Sequence, residues 1–465
     1  MIDALKPYPA YKDANLPWLG RVPKHWTEER AKYFFREVDE RSTTGKEELL
    51  SVSHVTGVTP RKESVTMFMA ESNVGHKVCR PGDLVINTMW AFMAALGVAK
   101  QTGVVSPSYG VYRPRQPGCL LPDFVNHLLR VDAYKSEYLC RSTGIRTSRL
   151  RLYPEQFLRI PILCPPPDEQ AAIVRFLRHL DGRVRRYIRA KRRISDLLNE
   201  QKQAIVHRAV TRGLDPNVRL KPSGVEWLGD VPEDWEHRRL KFLVRNVNEQ
   251  VGSKLPEEIY VALEHVEGWT GRITLPDDDV PFDSQVKRFQ CNDVLFGKLR
   301  PYLAKVARPT MPGVCVGEFL VLRTIGATIL PEFLEQKLRS RQLIDRINSA
   351  TFGAKMPRAD WTFIGNLVVT YPPTRDEQKQ TLDGISEQTV ALQAAIDKTR
   401  REIELIHEYR AHVITSVVTG KLDVRTAAAC LPDELEEAEP IGETDLIAGD
   451  GDEDELDAVP EEADA

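Results

Sequence analysis

The chain is written twice. Residues 168–215 and 376–423 align without a gap at a constant offset of 208. Both segments open Asp-Glu-Gln (Asp168, Glu169, Gln170 and Asp376, Glu377, Gln378). Both carry an arginine pair (Arg192, Arg193 and Arg400, Arg401), and both close Leu-Asp (Leu214, Asp215 and Leu422, Asp423). The match continues upstream. Trp18-Leu19-Gly20, Val22-Pro23 and Trp26 return as Trp227-Leu228-Gly229, Val231-Pro232 and Trp235, at an offset of 209. Asp83-Leu84-Val85 returns as Asp293-Val294-Leu295, Gly103-Val104 as Gly313-Val314, and Gly144 as Gly353. Residues 1–425 are one unit of about 208 residues repeated, so two copies of one architecture are expected.

The repeated end of each unit has a helical period. Leu177, Leu180, Val184, Ile188, Leu197, Leu198, Ile205 and Val206 fall at steps of three, four and seven. Ile385, Leu392, Ile396, Leu405, Ile406, Val413 and Ile414 take largely the same places in the second copy. Charged and amide side chains lie between them, which makes one apolar stripe on a solvated helix. No proline or glycine interrupts 183–212 or 385–419, so each copy reads as one long helix. About 45 residues at 1.5 Å each span roughly 65–70 Å. A narrow stripe of that length needs a partner, and the other copy supplies one, which gives an intramolecular coiled coil. Pro165-Pro166-Pro167 and Pro372-Pro373 block helix upstream. The Asp-Glu-Gln triplets then read as N-terminal capping, and Gly213 and Gly420 as helix stops.

The preceding segments mix short apolar runs (83–87, 150–153, 293–296, 319–323, 366–370) with glycine- and proline-rich turns. Helical stretches are expected at 122–139 and 331–349. The fold class is α+β. Five segments are expected: globular halves at 1–165 and 221–373, long helices at 166–220 and 374–425, and an acidic, disordered tail at 426–465. The formal charge of −3 hides an asymmetry. The tail holds 16 of the 67 acidic residues and no Lys or Arg, so residues 1–425 carry 64 basic against 51 acidic side chains, a net of +13. A basic body suits a polyanionic partner, although a merely solvated basic surface has the same composition.

Other classes find no support. The seven cysteines include no Cys-x-x-Cys pair, and the ten histidines no ligand spacing, which fits a reducing cytoplasm without structural zinc. The start of the chain lacks the basic-then-apolar shape of a secretion signal. The most apolar run, 84–99, is short for a bilayer and contains Asn87 and Thr88. There is no phosphate-binding glycine loop of the ATPase kind and no methyltransferase Asn/Asp-Pro-Pro-aromatic motif. An enzyme is therefore not expected, and no metal site is assigned.

The phrase Trp18-Leu19-Gly20-Arg21-Val22-Pro23-Lys24-His25-Trp26 and its return at 227–235 are one of four signals. The others are Lys298-Leu299-Arg300-Pro301-Tyr302, the proline run before each Asp-Glu-Gln, and the tandem layout. On these the chain resembles the specificity subunit of type I restriction–modification enzymes over nearly all of 1–425. The first half departs from the Lys-x-Arg-Pro-Tyr phrase, with Thr88-Met89-Trp90-Ala91-Phe92 instead. The resemblance implies two target recognition domains, each reading one half of a split double-stranded DNA sequence. It implies two long antiparallel helices that act as spacer and docking surface. It also implies two methyltransferase subunits and two restriction endonuclease/translocase subunits as partners. S-adenosylmethionine, ATP and Mg then belong to those partners, and this chain has no catalytic site and no cofactor of its own. A specificity subunit of a fused restriction–methylation enzyme that cuts on both sides of its site would look alike. A coiled-coil scaffold with protein-binding halves explains the helices but not the basic body.

A DNA reader needs Lys and Arg for phosphates and polar groups for base edges. The copies differ where such groups cluster. Asn87 and Thr88 face Gly297 and Lys298, while Ser106, Ser108 and Tyr109 face Val316, Glu318 and Phe319. Arg141, Thr143, Arg146, Thr147, Ser148 and Arg149 form a basic, hydroxyl-rich turn opposite Lys355 and Arg358. Lys298, Arg300 and Tyr302 make a further cluster. Two modules tuned to different targets would diverge in this way, and so would drifting surface loops.

Overall fold

A computed structural model describes residues 5–61, 72–145, 150–275, 285–353 and 356–432. It divides into two compact units. The first comprises residues up to Lys191 together with those from Arg401 onward, and the second is Arg192–Arg400. Each long helix is thus shared out between the units and does not form a segment of its own. The fold is α+β, and among the described residues no helix is long and apolar enough to cross a membrane.

The first unit is built on a four-stranded antiparallel sheet in the order Phe35–Glu37, Gly110–Pro114, Leu84–Ile86, Leu96–Val98. The second repeats that order with Val244–Val247, Phe319–Thr324, Val294–Gly297 and Val306–Ala307. In each, the strand that opens the half pairs with the strand that closes it: Thr27–Arg30 with Pro161–Cys164, and Glu236–Arg239 with Val368–Tyr371. The run at 150–153 is not a strand. It contributes one bridge, Thr143 to Arg151. The helical stretches each break in two, into Pro122–Leu128 and Asp132–Arg141, and into Pro331–Leu338 and Arg341–Asn348. At the breaks Val131 and Ser340 are extended, with ψ of 155° and 135°. Each break turns a second apolar face onto the core, through Tyr134 and Tyr138 or Leu343, Ile344 and Ile347.

Buried polar groups repeat as faithfully as the sheet. Asp83 takes Arg113 through two bonds of 2.9 and 2.8 Å, and Asp293 takes Arg323 through two of 2.7 and 2.6 Å. Lys77 Nζ donates to the Tyr109 carbonyl (2.8 Å) as Lys287 Nζ donates to that of Phe319 (2.9 Å). Such groups persist in a core only when each finds a partner.

The long helices are Pro167–Arg212 and Arg375–Val418, of 46 and 44 residues. Both end at a left-handed glycine, Gly213 (φ 79°) and Gly420 (φ 74°). These glycines explain part of the repeated tryptophan phrase. A Cβ on Gly420 would run into Pro23 and stand 3.1 Å from Trp26, and Gly213 faces Trp235. Within the first unit the helices run antiparallel, with Arg410 on Asp181 (2.7 Å) and Lys191 on Glu402 (2.6 Å). Within the second, Lys202 meets Gln393 (2.5 Å) and Leu214 packs on Gly384, again antiparallel. The stripe is not uniformly buried. From 189 to 208 no residue of the first helix is buried, and Leu197 and Leu405 are 46% and 47% exposed. Two helices alone cover only a narrow seam. Part of that seam is Thr389 and Thr399, whose hydroxyls return to the carbonyls of Ile385 and Ala395.

The Asp-Glu-Gln triplet is a clip more than a cap. Gln170 is fully buried, accepts from Leu121 N (2.8 Å) and donates to the carbonyls of Cys119 and Pro165 (2.9 and 2.8 Å). Gln378 does the same with Leu330 N (2.8 Å), Thr328 O (2.9 Å) and Pro372 O (3.0 Å). Each fastens a long helix to the loop ahead of the helix that starts at Pro122 or Pro331. Glu169 is buried too, and receives Trp26 Nε1 (2.9 Å), His25 (2.7 Å), Tyr8 (3.2 Å) and Arg425 (3.2 Å). A side-chain cap forms at Thr374, whose Oγ1 accepts from Glu377 N (3.3 Å). The segment from 426 is not all tail. Arg425–Ala429 is a helix with Val424 and Ala428 buried, and Ala427 and Leu431 pack beside them. That is an apolar pattern at helical spacing, and the acidic residues begin only at Asp433.

Lys337, buried in the second unit, donates to Val210 O and to Thr370 Oγ1 (both 2.7 Å). It thereby satisfies one of the last carbonyls of the first long helix. Burial pulls its pKa down to about 7. Unfolding returns the amine to an ordinary value near 10.4, so between those values the unfolded chain binds more protons and stability rises with pH. Lys337→Met removes this slope. Urea unfolding at pH 7.0 and 8.5 should show the wild type gaining on the variant by on the order of 1 kcal/mol per pH unit. Equal slopes would show that the amine stays charged.

Candidate nucleic-acid interface

Three loops of the second unit meet beyond the end of strand Val294–Gly297. The chain passes through Lys298 and Leu299 into a tight 3-10 turn, Pro301–Leu303. Arg300 and Ala304 bracket the turn in the left-handed region, at φ 50° and 48°. L-residues are held there only by surrounding bonds, and the bonds are present. Arg300 N donates to Pro357 O (2.8 Å), and Ala359 N donates to Lys298 O (2.9 Å). Phe352 and Arg358 exchange amide bonds of 3.2 and 3.0 Å, closing a hairpin, and Lys298 N reaches Glu318 O (2.9 Å).

The surface of this cluster is basic and aromatic together. Arg300 is exposed. Tyr302 is 45% exposed, Phe352 62% and Met356 48%. Arg358 donates Nε and Nη2 to Glu318, at 3.2 and 3.0 Å. Below it, Asp360 caps the short helix Trp361–Ile364 by accepting from Thr362 N (2.7 Å). That contact, with help from Lys298, holds the Asp360 carboxyl below its ordinary value. Guanidinium and ammonium groups on a rigid ladder suit phosphates and guanine edges, and exposed rings suit bases and methyl groups.

The first unit repeats the frame and changes the contents. Its turn is Ala91–Met93, followed by left-handed Ala94 (φ 63°). Leu152 N donates to Thr88 O (2.9 Å), and Thr143 and Arg151 exchange two amide bonds of 3.0 Å. Trp90 and Phe92 stack, with centroids 6.3 Å apart, where the other unit has Arg300 and Tyr302.

The sequence candidates separate on this geometry. Lys298, Arg300, Tyr302 and Arg358 come together. Asn87 and Thr88 are corrected: they are 4% and 8% exposed and their polar atoms are spent inside. Asn87 Nδ2 donates to Tyr109 Oη (3.1 Å), and its Oδ1 accepts from Met89 N (3.2 Å). Thr88 Oγ1 donates to Ser108 O (2.9 Å). Ser106 and Ser108 join hydroxyls at 2.8 Å, so this group braces the turn. Arg141 is tied back to Glu137 on its own helix, and Thr143 is exposed at the hairpin base. Arg146, Thr147, Ser148, Arg149 and Lys355 lie outside the described residues.

The ladder also corrects one equivalence. A constant offset matched Arg149 to Arg358, but the hairpin bonds match Arg151 to Arg358. The helices that follow, Pro154–Phe157 and Trp361–Ile364, agree with that offset of 207. Between its bridged residues the first hairpin has two more residues than the second. Arg151, which is exposed, and Phe352 and Glu318 were not singled out from sequence. The re-aligned helix start is the signal that reveals the first of these.

No protein-family model matches the chain. Two curated relatives do. One is the EcoDI specificity subunit of a type I restriction enzyme from Escherichia coli, 24% identical over 241 residues, covering 47% of this chain and 53% of the relative. The other is the MjaVIII specificity subunit from Methanocaldococcus jannaschii, 23% identical over 290 residues, covering 58% of this chain and 64% of the relative. The match therefore spans between about half and two thirds of those relatives' length. A chain solved in work on complex assembly and conformational transition of the type I R-M system superposes with a TM-score of 0.53 at 17% identity, over 86% of this chain and 99% of that one. By sequence, over about half its length, the chain is similar to the specificity subunits of two type I restriction enzymes, and by fold, over most of it, to a chain from a type I R-M system.

Proposed function

We propose that this chain is the non-catalytic, DNA-reading subunit of a type I restriction–modification complex, with one recognition module in each unit and each module reading one half of a split target. The observation that carries it is repetition of the frame with exchange of its contents. The buried pairs Asp83–Arg113 and Asp293–Arg323 and the clips Gln170 and Gln378 recur. At matching positions of the two turns Trp90 gives way to Arg300, and Ser108 to Glu318. Drift alone would not be expected to keep the buried pairs and clips while changing the turn contents between the two units. The sequence relatives support the class of target, since both are named as specificity subunits. In this reading the partners are two methyltransferase and two endonuclease/translocase subunits in the cytoplasm. S-adenosylmethionine, ATP and Mg are theirs.

The long helices act as the spacer. Adding one heptad to both lengthens each by about 10 Å, near three base pairs at 3.4 Å each. The preferred gap between half-sites should grow by about three base pairs, as read by selection from duplexes of graded spacing. An unchanged gap would show that the helices do not set the distance.

A further inference from the structure

Within the second unit, one arginine is held as a base reader would need to be. Arg358 is held on two sides, by its own backbone bonds to Phe352 and by those of its neighbours Pro357 and Ala359 to Arg300 and Lys298. It lies in bridge register with Leu299. Its backbone therefore has little freedom, although its side chain remains 42% exposed. The guanidinium is also oriented. Glu318 takes Nε and Nη2 side-on at 3.2 and 3.0 Å. Among the described residues nothing takes Nη1. A side-on carboxylate leaves the end-on edge, with one hydrogen from each terminal nitrogen, directed away from the pair. That edge matches the N7 and O6 acceptors of guanine in the major groove and no other single base edge as well. The Glu318 backbone is itself fixed, since its carbonyl accepts from Lys298 N at 2.9 Å. A surface ion pair of two long mobile side chains would need neither tether, and would contribute little to stability. In the first unit the equivalent arginine, Arg151, is exposed, and the position of Glu318 is taken by Ser108, which has no carboxylate. The brace is therefore particular to one module.

We infer that Arg358 reads a guanine in the half-target of the second module and that Glu318 is its positioning residue. This rests on the DNA-reading function proposed above. The test is selection by the full chain from a pool of DNA duplexes with two randomised windows, for wild type, Arg358→Lys, Arg358→Ala and Glu318→Gln. Thermal melting of each protein checks folding. The wild type should return a split motif with an invariant guanine in one half. Both Arg358 variants should lose preference at that position by about 10- to 100-fold, with every other position unchanged. Glu318→Gln should keep the guanine but weaken its preference severalfold. Replacing that guanine by 7-deazaguanine, which lacks N7, should weaken the wild type and leave Arg358→Ala unaffected. A split motif that Arg358→Ala leaves intact would overturn the assignment alone. Uniform weakening at all positions would make Arg358 a phosphate contact and overturn it likewise. A wild type that selects no motif would overturn the DNA-reading function as well.

Discussion

Exchanging residues 1–165 for the matching half of a relative with a different target should change one half of the recognised sequence. The other half and the gap should stay as they were. The expectation follows from how the first unit is held together. Its sheet, its turn at Ala91–Met93 and its hairpin at Thr143 and Arg151 are internal to that half. What joins it to the long helices is a shared apolar core, in which Phe124, Leu128 and Tyr134 lie with Phe176, Leu177 and Val417, together with a few polar groups. Gln170 grips Leu121 N and Cys119 O, Glu169 receives Tyr8, His25 and Trp26, and Trp26 packs near Gly420. An incoming half that keeps the Trp-Leu-Gly…Trp phrase and the loop ahead of Pro122 brings those contacts with it. The effect is large, since each mismatched base pair typically costs about 1–3 kcal/mol. Three changed positions would then lower affinity for the old half-site by roughly a hundredfold or more. Selection from random duplexes measures it, and a change in both half-sites would contradict independent modules.

A large single-residue effect on stability is expected at Asp293. Its carboxylate is nearly solvent-free, takes Arg323 through both oxygens and accepts from Gln290 N at 2.8 Å, closing the turn that feeds strand Val294–Gly297. The pairing raises the Arg323 pKa further above its ordinary value, with the Asp293 hydrogen bond as the main cause. Asp293→Ala leaves a largely buried guanidinium and a turn amide without partners. Removing one member of such a pair costs about 3–5 kcal/mol, which lowers the melting temperature of a unit this size by roughly 10 °C. The double variant Asp293→Ala with Arg323→Met should recover much of the loss, because no charge is then left unpaired. A shift of less than about 2 °C in the single variant would show that the pair is well hydrated. The strand that Asp293 anchors leads directly into Lys298 and Arg300, so DNA binding by the second module should fall with it.

Much of this was legible in the residues because repetition is a strong constraint. Two long helices, their glycine stops and their proline-blocked starts follow from period and backbone chemistry, and they stand where expected. The clip at Gln170 and Gln378 was not legible. A glutamine beside two acids reads as a helix start, and its three partners are backbone atoms 5 to 51 residues away. Thr389 and Thr399 were missed in the seam because a threonine that bonds its own helix is apolar in effect while polar in type. The candidate interface was half legible. Lys298, Arg300, Tyr302 and Arg358 announce themselves by type. Asn87 and Thr88 have the same credentials and are turned inward, since a polar side chain at a strand end serves a turn as readily as a ligand. Arg151 was hidden by a two-residue difference in hairpin length, which no constant offset can follow.

The most direct test of a split reader is to co-express the full chain with the methyltransferase subunit proposed as its partner and map modified bases across the host genome. Two recognition modules held at a fixed spacing predict one split motif with a constant gap, modified at nearly every occurrence. A single uninterrupted motif, a variable gap, or no modification with an active and bound methyltransferase would contradict it.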